Sequence, residues 1–162
     1  MSMVEKVKRH LQELGGAPKR ALGQNFLVSE HVIEKILKQA AEFKPENIVE
    51  VGPGLGALTE GLGAMTPNLQ VIELDSAFAA YWKSQGVDVT EQDALQVDWE
   101  KLTAGKKVLF VSNLPYQISS SIVIERCLGP ENIYAMILMF QKEVAQRLMA
   151  LPKTGAYGML SV

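Results

Sequence analysis

Five short apolar runs, four of them closing on a glycine, a carboxylate or an amide, limit this chain more than any other feature. They are NIVEVG at 47–52, NLQVIELD at 68–75, VDVTEQD at 87–93, KKVLFVSN at 106–113 and IYAMILMF at 133–140. A near-continuous β-branched and apolar run suits a strand covered on both faces, and VDVTEQD is the weakest of the five. Between the runs lie segments with helical spacing. One starts at Ser29, a plausible N-cap, and carries Val32, Ile33, Ile36, Leu37 and Ala40 on one face before Pro45 ends it. The others are ALTEGLGAM at 57–65, SAFAAYWKSQG stopped by Gly86, QISSSIVIERCLGP stopped at Gly129-Pro130, and QKEVAQRLMA at 141–150. Strands alternating with helices predict an α/β fold, a mostly parallel sheet with helices on both faces.

The length of 162 residues and the apolar fraction of 48% fit one domain with a real core. No apolar run nears the ~18 residues of a membrane span. The N-terminus is charged, with no apolar segment behind it, so no signal peptide is expected. Cys127 stands alone, which excludes an internal disulfide and a multi-cysteine metal site, and it is expected in the core as a small hydrophobe. The chain reads as cytoplasmic, with no membrane partner. Charge is unevenly spread: residues 41–100 carry two Lys against eleven Asp and Glu, and residues 101–162 carry seven Lys and Arg against three acids. Such asymmetry can mark a polyanion-binding face, and solvated surface charge explains it equally well.

In open parallel sheets, ligands sit beyond the carboxyl ends of the strands, where strand order reverses. The strand ends here hold Gly52, Glu73, Asp93, Asn113 and Phe140-Gln141. Gly52 and Gly54 in EVGPGLGALT let backbone approach a ligand closely, although a tight turn alone would need the same glycines. Glu73, about twenty residues on, suits the hydroxyls of a ribose. Both signals fit any adenosine-bearing cofactor, NAD included. Pro53 discriminates among them. A pyrophosphate is held by turn amides, and proline has no N–H to give. S-adenosylmethionine carries ribose and adenine without phosphate, and Asp93 could accept from its adenine amino group.

After KKVLFVSN comes Asn113-Leu114-Pro115-Tyr116. The Asn113 carbonyl and a backbone carbonyl near Leu114 are acceptors that an aromatic amine such as adenine N6 needs. Pro115 fixes the turn, and Tyr116 offers a face on which a base can stack, a contact worth ~1–3 kcal/mol. The alternative is structural: Asn caps the next helix, Pro starts it and Tyr belongs to the core.

With these residues assembled, the chain resembles the small-subunit ribosomal RNA adenine dimethyltransferases. The blocks that carry the resemblance are KRALGQNFL at 19–27, VEVGPGLGALT at 49–59, VIELD at 71–75, QDAL at 92–95, SNLPYQIS at 112–119, MFQKEVAQRL at 139–148 and the closing YGMLSV. The resemblance implies a Rossmann-like methyltransferase fold with S-adenosylmethionine as cofactor. The implied reaction transfers methyl groups to N6 of two adjacent adenines in small-subunit ribosomal RNA, without a metal, during ribosome biogenesis. The 30S subunit would be the partner. Carried over by position, Asn25 and Leu27 would line the cofactor site, Gly52 would approach the methionine part, Glu73 the ribose and Asp93 the adenine. Asn113 would meet both cofactor and target amine, with Leu114, Pro115 and Tyr116 completing the target site. Only the resemblance assigns Asn25. A sister family that modifies large-subunit RNA usually has Gly-Ser-Gly-Lys-Gly and Asn-Ile-Pro-Tyr at these places.

Two departures qualify the resemblance. Ala21-Leu22 replaces a basic or aromatic pair, implying a weaker grip on phosphate. The family also continues for roughly another hundred residues, which hold the last strands, a Phe that packs on the flipped base and a helical RNA-binding domain. On that comparison residues 1–27 are a basic segment contributing to the cofactor site, and 28–162 an incomplete methyltransferase domain with an open sheet edge. Such a chain would be weakly active or inactive. The competing readings are a non-catalytic RNA- or DNA-binding relative and an NAD-dependent oxidoreductase, which Pro53 disfavours.

Overall fold

All five apolar runs are strands, and all pair in parallel. The computed structural model describes Glu5 and residues 26–162. The strands are β1 (Asn47–Val51), β2 (Leu69–Glu73), β3 (Asp88–Glu91), β4 (Val108–Asn113) and β5 (Ile133–Met139), in the order β3-β2-β1-β4-β5. Strand order reverses between β1 and β4: the chain builds outward from β1 to β3, then returns to lay β4 along the other side of β1. The register aligns Val51 with Ile72 on one side and Glu50 with Val111 on the other, so the carboxyl ends of the central strands lie together.

Alternation along the strands builds two cores. On one face Ile48, Val71, Leu109 and Val111 pack with Ile33, Ile36 and Ala40 of α1 (Glu30–Glu42) and Leu62 of α2 (Thr59–Met65). On the other, Val49, Val51, Ile72 and Phe110 meet Trp99 of α4 (Trp99–Thr103) and Ile122 and Val123 of α5 (Ser119–Cys127). Burial of such side chains is worth about 1.5–3 kcal/mol each. A third cluster of Leu55, Phe78 and Trp82 seats α3 (Ser76–Ser84) beside the turn that follows β1. After β5 come α6 (Lys142–Leu148) and a 3₁₀ turn at Met159–Ser161. Among the described residues no helix is long and apolar enough to cross a membrane.

Three details depart from the sequence reading. Cys127 is exposed, not buried: it lies one turn beyond buried Val123, but it is the last residue of α5 and next to the exposed Leu128. Ser29 takes the N-cap position of α1 but its side chain makes no capping bond; its carbonyl accepts from Ile33 N at 3.0 Å. Helix α4 has no counterpart in the reading. Asp98 caps it by accepting from Lys101 N at 3.0 Å, and the Trp99 indole donates to Ala94 O at 2.9 Å.

Strand β5 lies at one sheet edge and is only partly covered, with Tyr134 43% exposed, whereas Phe110 on β4 is fully buried. Phe110→Ala should therefore cost about 3–5 kcal/mol in urea unfolding, while Tyr134→Ala should cost less than about 1 kcal/mol.

Candidate active site

The loops after β1, β2, β3 and β4 enclose a cleft of about 230 Å³ at the carboxyl ends of the strands. Gly52, Gly54, Glu73, Asp93, Asn113, Leu114 and Pro115 all line it, and Leu27 reaches it from the segment before α1. Tyr116 follows Pro115 but does not line the cleft; it is 40% exposed. Asn25 lies outside the described residues.

The turn after β1 is built around backbone that side chains resist. Gly52, Gly54 and Gly56 have φ of +67°, +49° and +86°, the left-handed region that glycine enters at little cost. Gly52 N donates to Ile72 O at 2.9 Å, tying the turn to β2. A Cβ on Gly52 would lie 3.5 Å from the Pro115 ring, so the loops after β1 and β4 touch across the reversal point. Ser112, buried in β4, donates from Oγ to Val51 O at 2.5 Å and joins the same two strand ends. The Trp82 indole of α3 donates to Gly54 O at 2.9 Å, and its ring fills the space where a Gly56 Cβ would stand. No local spacing in the sequence points to Trp82. It reads there as one more apolar residue of a helix.

Glu73 ends β2 almost fully buried. Its Oε1 accepts from Asp75 N at 2.8 Å and its Oε2 from Gly54 N at 3.4 Å. Burial raises its pKa above the ordinary carboxyl value, while the amides of Asp75, Gly54 and Leu74 pull it back. Asp75 accepts from Ala77 N at 2.9 Å and starts α3, which keeps the loop beneath Glu73 short. Asp93 accepts from Leu95 N at 2.9 Å through Oδ1, which fixes its side chain in the turn after β3.

Glu50, in β1, lies among the cleft residues and is 2% exposed. Its burial, with a smaller push from Glu73, drives its pKa up to about 8. Thr59 stands near and favours the charged form without completing a hydrogen bond: neither Thr59 Oγ1 nor Glu50 Oε2 has a partner. The sequence reading passed over Glu50 as part of a strand. Its position on the face of Ile48, Leu58 and Val111 is the signal that alternation could have given.

The lining residues fit S-adenosylmethionine better than a dinucleotide. Glu50, Glu73 and Asp93 supply three acidic groups, none of the described lining residues is Lys, Arg or His, and Pro53 withholds the N–H a pyrophosphate would need. Such a cleft favours a cation carrying hydroxyls.

The family model for ribosomal RNA adenine dimethylase matches residues 17–162. Ribosomal RNA small subunit methyltransferase A of Bdellovibrio bacteriovorus is 57% identical over 98% of this chain, and the chain spans 58% of that relative. The protein of the same name from Chlorobium limicola is 37% identical over 90% of the chain and 56% of the relative. Among solved structures, a dimethyladenosine transferase from Plasmodium falciparum superposes with a TM-score of 0.72 at 27% identity. That match covers 85% of this chain and 51% of the other. The 23S rRNA methyltransferase ErmE gives a TM-score of 0.62 at 28% identity, covering 83% and 53%.

Two outcomes follow from this geometry. Gly56→Ala should destabilise by more than about 2 kcal/mol in urea unfolding, since it combines a left-handed backbone with a clash against Trp82. Gly86→Ala has φ +79° and open space around it, and should show only the backbone part. Glu50 is ionised in the unfolded chain above the ordinary carboxyl value of 4.5 but stays protonated in the folded one up to about 8. The folded state should therefore lose stability as pH rises from about 4.5 to 8. Glu50→Gln should remove that loss and raise Tm at pH 8 by at least about 3 °C, on a scale of ~2–4 °C per kcal/mol, with no gain near pH 4.5.

Proposed function

The chain belongs to the ribosomal RNA adenine dimethylase family, and from that premise we propose that it transfers methyl groups from S-adenosylmethionine to N6 of two adjacent adenines in small-subunit ribosomal RNA. The observation that carries the reading is the convergence of the glycine turn, Glu73, Asp93 and Asn113 on one cleft. The cofactor supplies an activated methyl on a sulfonium, so the protein's task is positioning more than acid–base chemistry.

Glu73 accepts from the ribose hydroxyls. Its two oxygens are already aimed by Gly54 N and Asp75 N, so little side-chain freedom is lost on binding. Asp93 accepts from the adenine amino group, while Gly52 and Leu27 leave room for the methionine part. Asn113 and the Leu114 carbonyl accept from the N6 hydrogens of the target adenine. Those bonds hold the amine toward the methyl and draw its nitrogen toward tetrahedral geometry, which frees the lone pair for in-line attack. Pro115, in contact range of Gly52, keeps target and cofactor sites adjacent. Tyr116, exposed beside them, gives the base a face to stack on.

The partner is the small ribosomal subunit. Because the chain spans 58% of its Bdellovibrio relative, methyl incorporation into unmethylated 30S particles is best compared for these residues and for the same residues extended by the relative's remaining part. The extended protein should dimethylate and these residues alone should act slowly.

Calorimetric titration should show binding of S-adenosylmethionine and none of NAD; the reverse would favour an oxidoreductase. In the extended protein Asn113→Ala should lower incorporation at least about 100-fold with cofactor binding weakened much less. Full biological effect in that variant would point instead to a non-catalytic RNA-binding role.

A further inference from the structure

Methyl transfer needs a fixed spacing between cofactor and target, and the backbone ladder stops short of supplying it. β1 pairs with β4 only from Asn47↔Val108 to Glu50↔Val111, while it pairs with β2 as far as Val51↔Ile72. β4 pairs with β5 as far as Asn113↔Met139. The sheet therefore splits at its carboxyl edge, where β1 stays with β2 and β4 stays with β5. Gly52 stands on one side of the split and Asn113 on the other. One buried side chain spans it. Ser112 is 1% exposed, and its Oγ donates to Val51 O at 2.5 Å, across 61 positions of sequence. Val51 immediately precedes Gly52, and Ser112 immediately precedes Asn113. The peptide between Val51 and Gly52 is thus held from both sides, because Gly52 N donates to Ile72 O at 2.9 Å. Val108 and Phe110, at alternate positions of the same strand, are apolar core, so packing alone gives no reason for a hydroxyl at 112.

We propose that Ser112 is a positioning residue for methyl transfer: its hydroxyl clasps the diverging ends of β1 and β4 and sets the distance between the glycine turn and Asn113. This rests on the reading of the cleft as a methyl-transfer site. Two contacts bound that distance. The Pro115 ring, 3.5 Å from where a Gly52 Cβ would stand, limits how closely the two loops approach. The Ser112 bond limits how far they part. In-line attack is sensitive to this spacing, since a misplacement of about 1 Å can cost about 100-fold in rate. Ser112 itself touches neither the cofactor nor the target base and acts only through Val51 and Asn113. Its loss should therefore be felt in the transfer step and spare the binding of each ligand.

The test measures methyl transfer to unmethylated 30S particles in single turnovers, with enzyme in excess. It is run on this chain and on the chain extended by the relative's remaining part, with folding checked by circular dichroism. Ser112→Ala, which removes one oxygen, should slow transfer at least about tenfold. Its Kd for S-adenosylmethionine, by calorimetry, and for 30S particles should each stay within about twofold of the unsubstituted protein. Val108→Ala, fully buried at the amino end of the same strand, should lower Tm and leave the transfer rate within about twofold. Ser112→Cys keeps the shape with a weaker donor, and carries the same test if the alanine variant does not fold. An unchanged rate in a folded Ser112 variant, a loss confined to either Kd, or an equal slowing by Val108→Ala would overturn the inference and leave the methyl-transfer reading standing. Binding of S-adenosylmethionine with no transfer by the unsubstituted extended protein would overturn both.

Discussion

The parallel pairing of β1 with β2 on one side and β4 on the other is the constraint on which the rest depends. Parallel strands bring their carboxyl ends to the same side of the sheet, so residues 20 to 60 positions apart become neighbours. Hydrophobic burial on both faces supplies the driving force, from Ile48, Val71 and Leu109 on one side and Val49, Ile72 and Phe110 on the other. The reversal of strand order then leaves a gap beside β1 that no crossover helix fills.

What lines that gap is mostly apolar, with a few polar side chains that the surrounding loops hold in place. Glu73 is fixed by two amides, Asp75 and Asp93 each accept from the backbone two residues on, and Ser112 joins β4 to β1. These local bonds satisfy groups that would otherwise be costly to bury. Glu50 is the exception on the same wall: its Oε2 is buried with no hydrogen-bond partner.

The sequence made the strands legible because NIVEV and VLFVSN are apolar runs that end abruptly, and because a buried parallel strand needs that pattern on both faces. It made Gly52, Glu73, Asp93 and Asn113 legible as a group through one rule about strand ends. Trp82 escaped because its contact with Gly54 spans 28 positions and leaves no periodic trace. Helix α4, of five residues, is too short for helical spacing to register and depends on its Asp98 cap and the buried Trp99. Cys127 was misplaced because its spacing from Val123 suits the core, while the end of α5 at that residue leaves it exposed.

The protein's two tryptophans occupy opposite walls of the sheet. Trp82 holds the carbonyl of the glycine turn through its indole N–H, while Trp99 lies in the far core with the Arg126 guanidinium 4.7 Å above its ring. One chromophore is thus wired to the glycine turn after β1 and the other to Ala94, in the turn after β3 beside Asp93. Their emissions give the molecule a built-in optical pair, each reporting on a different turn of the same cleft.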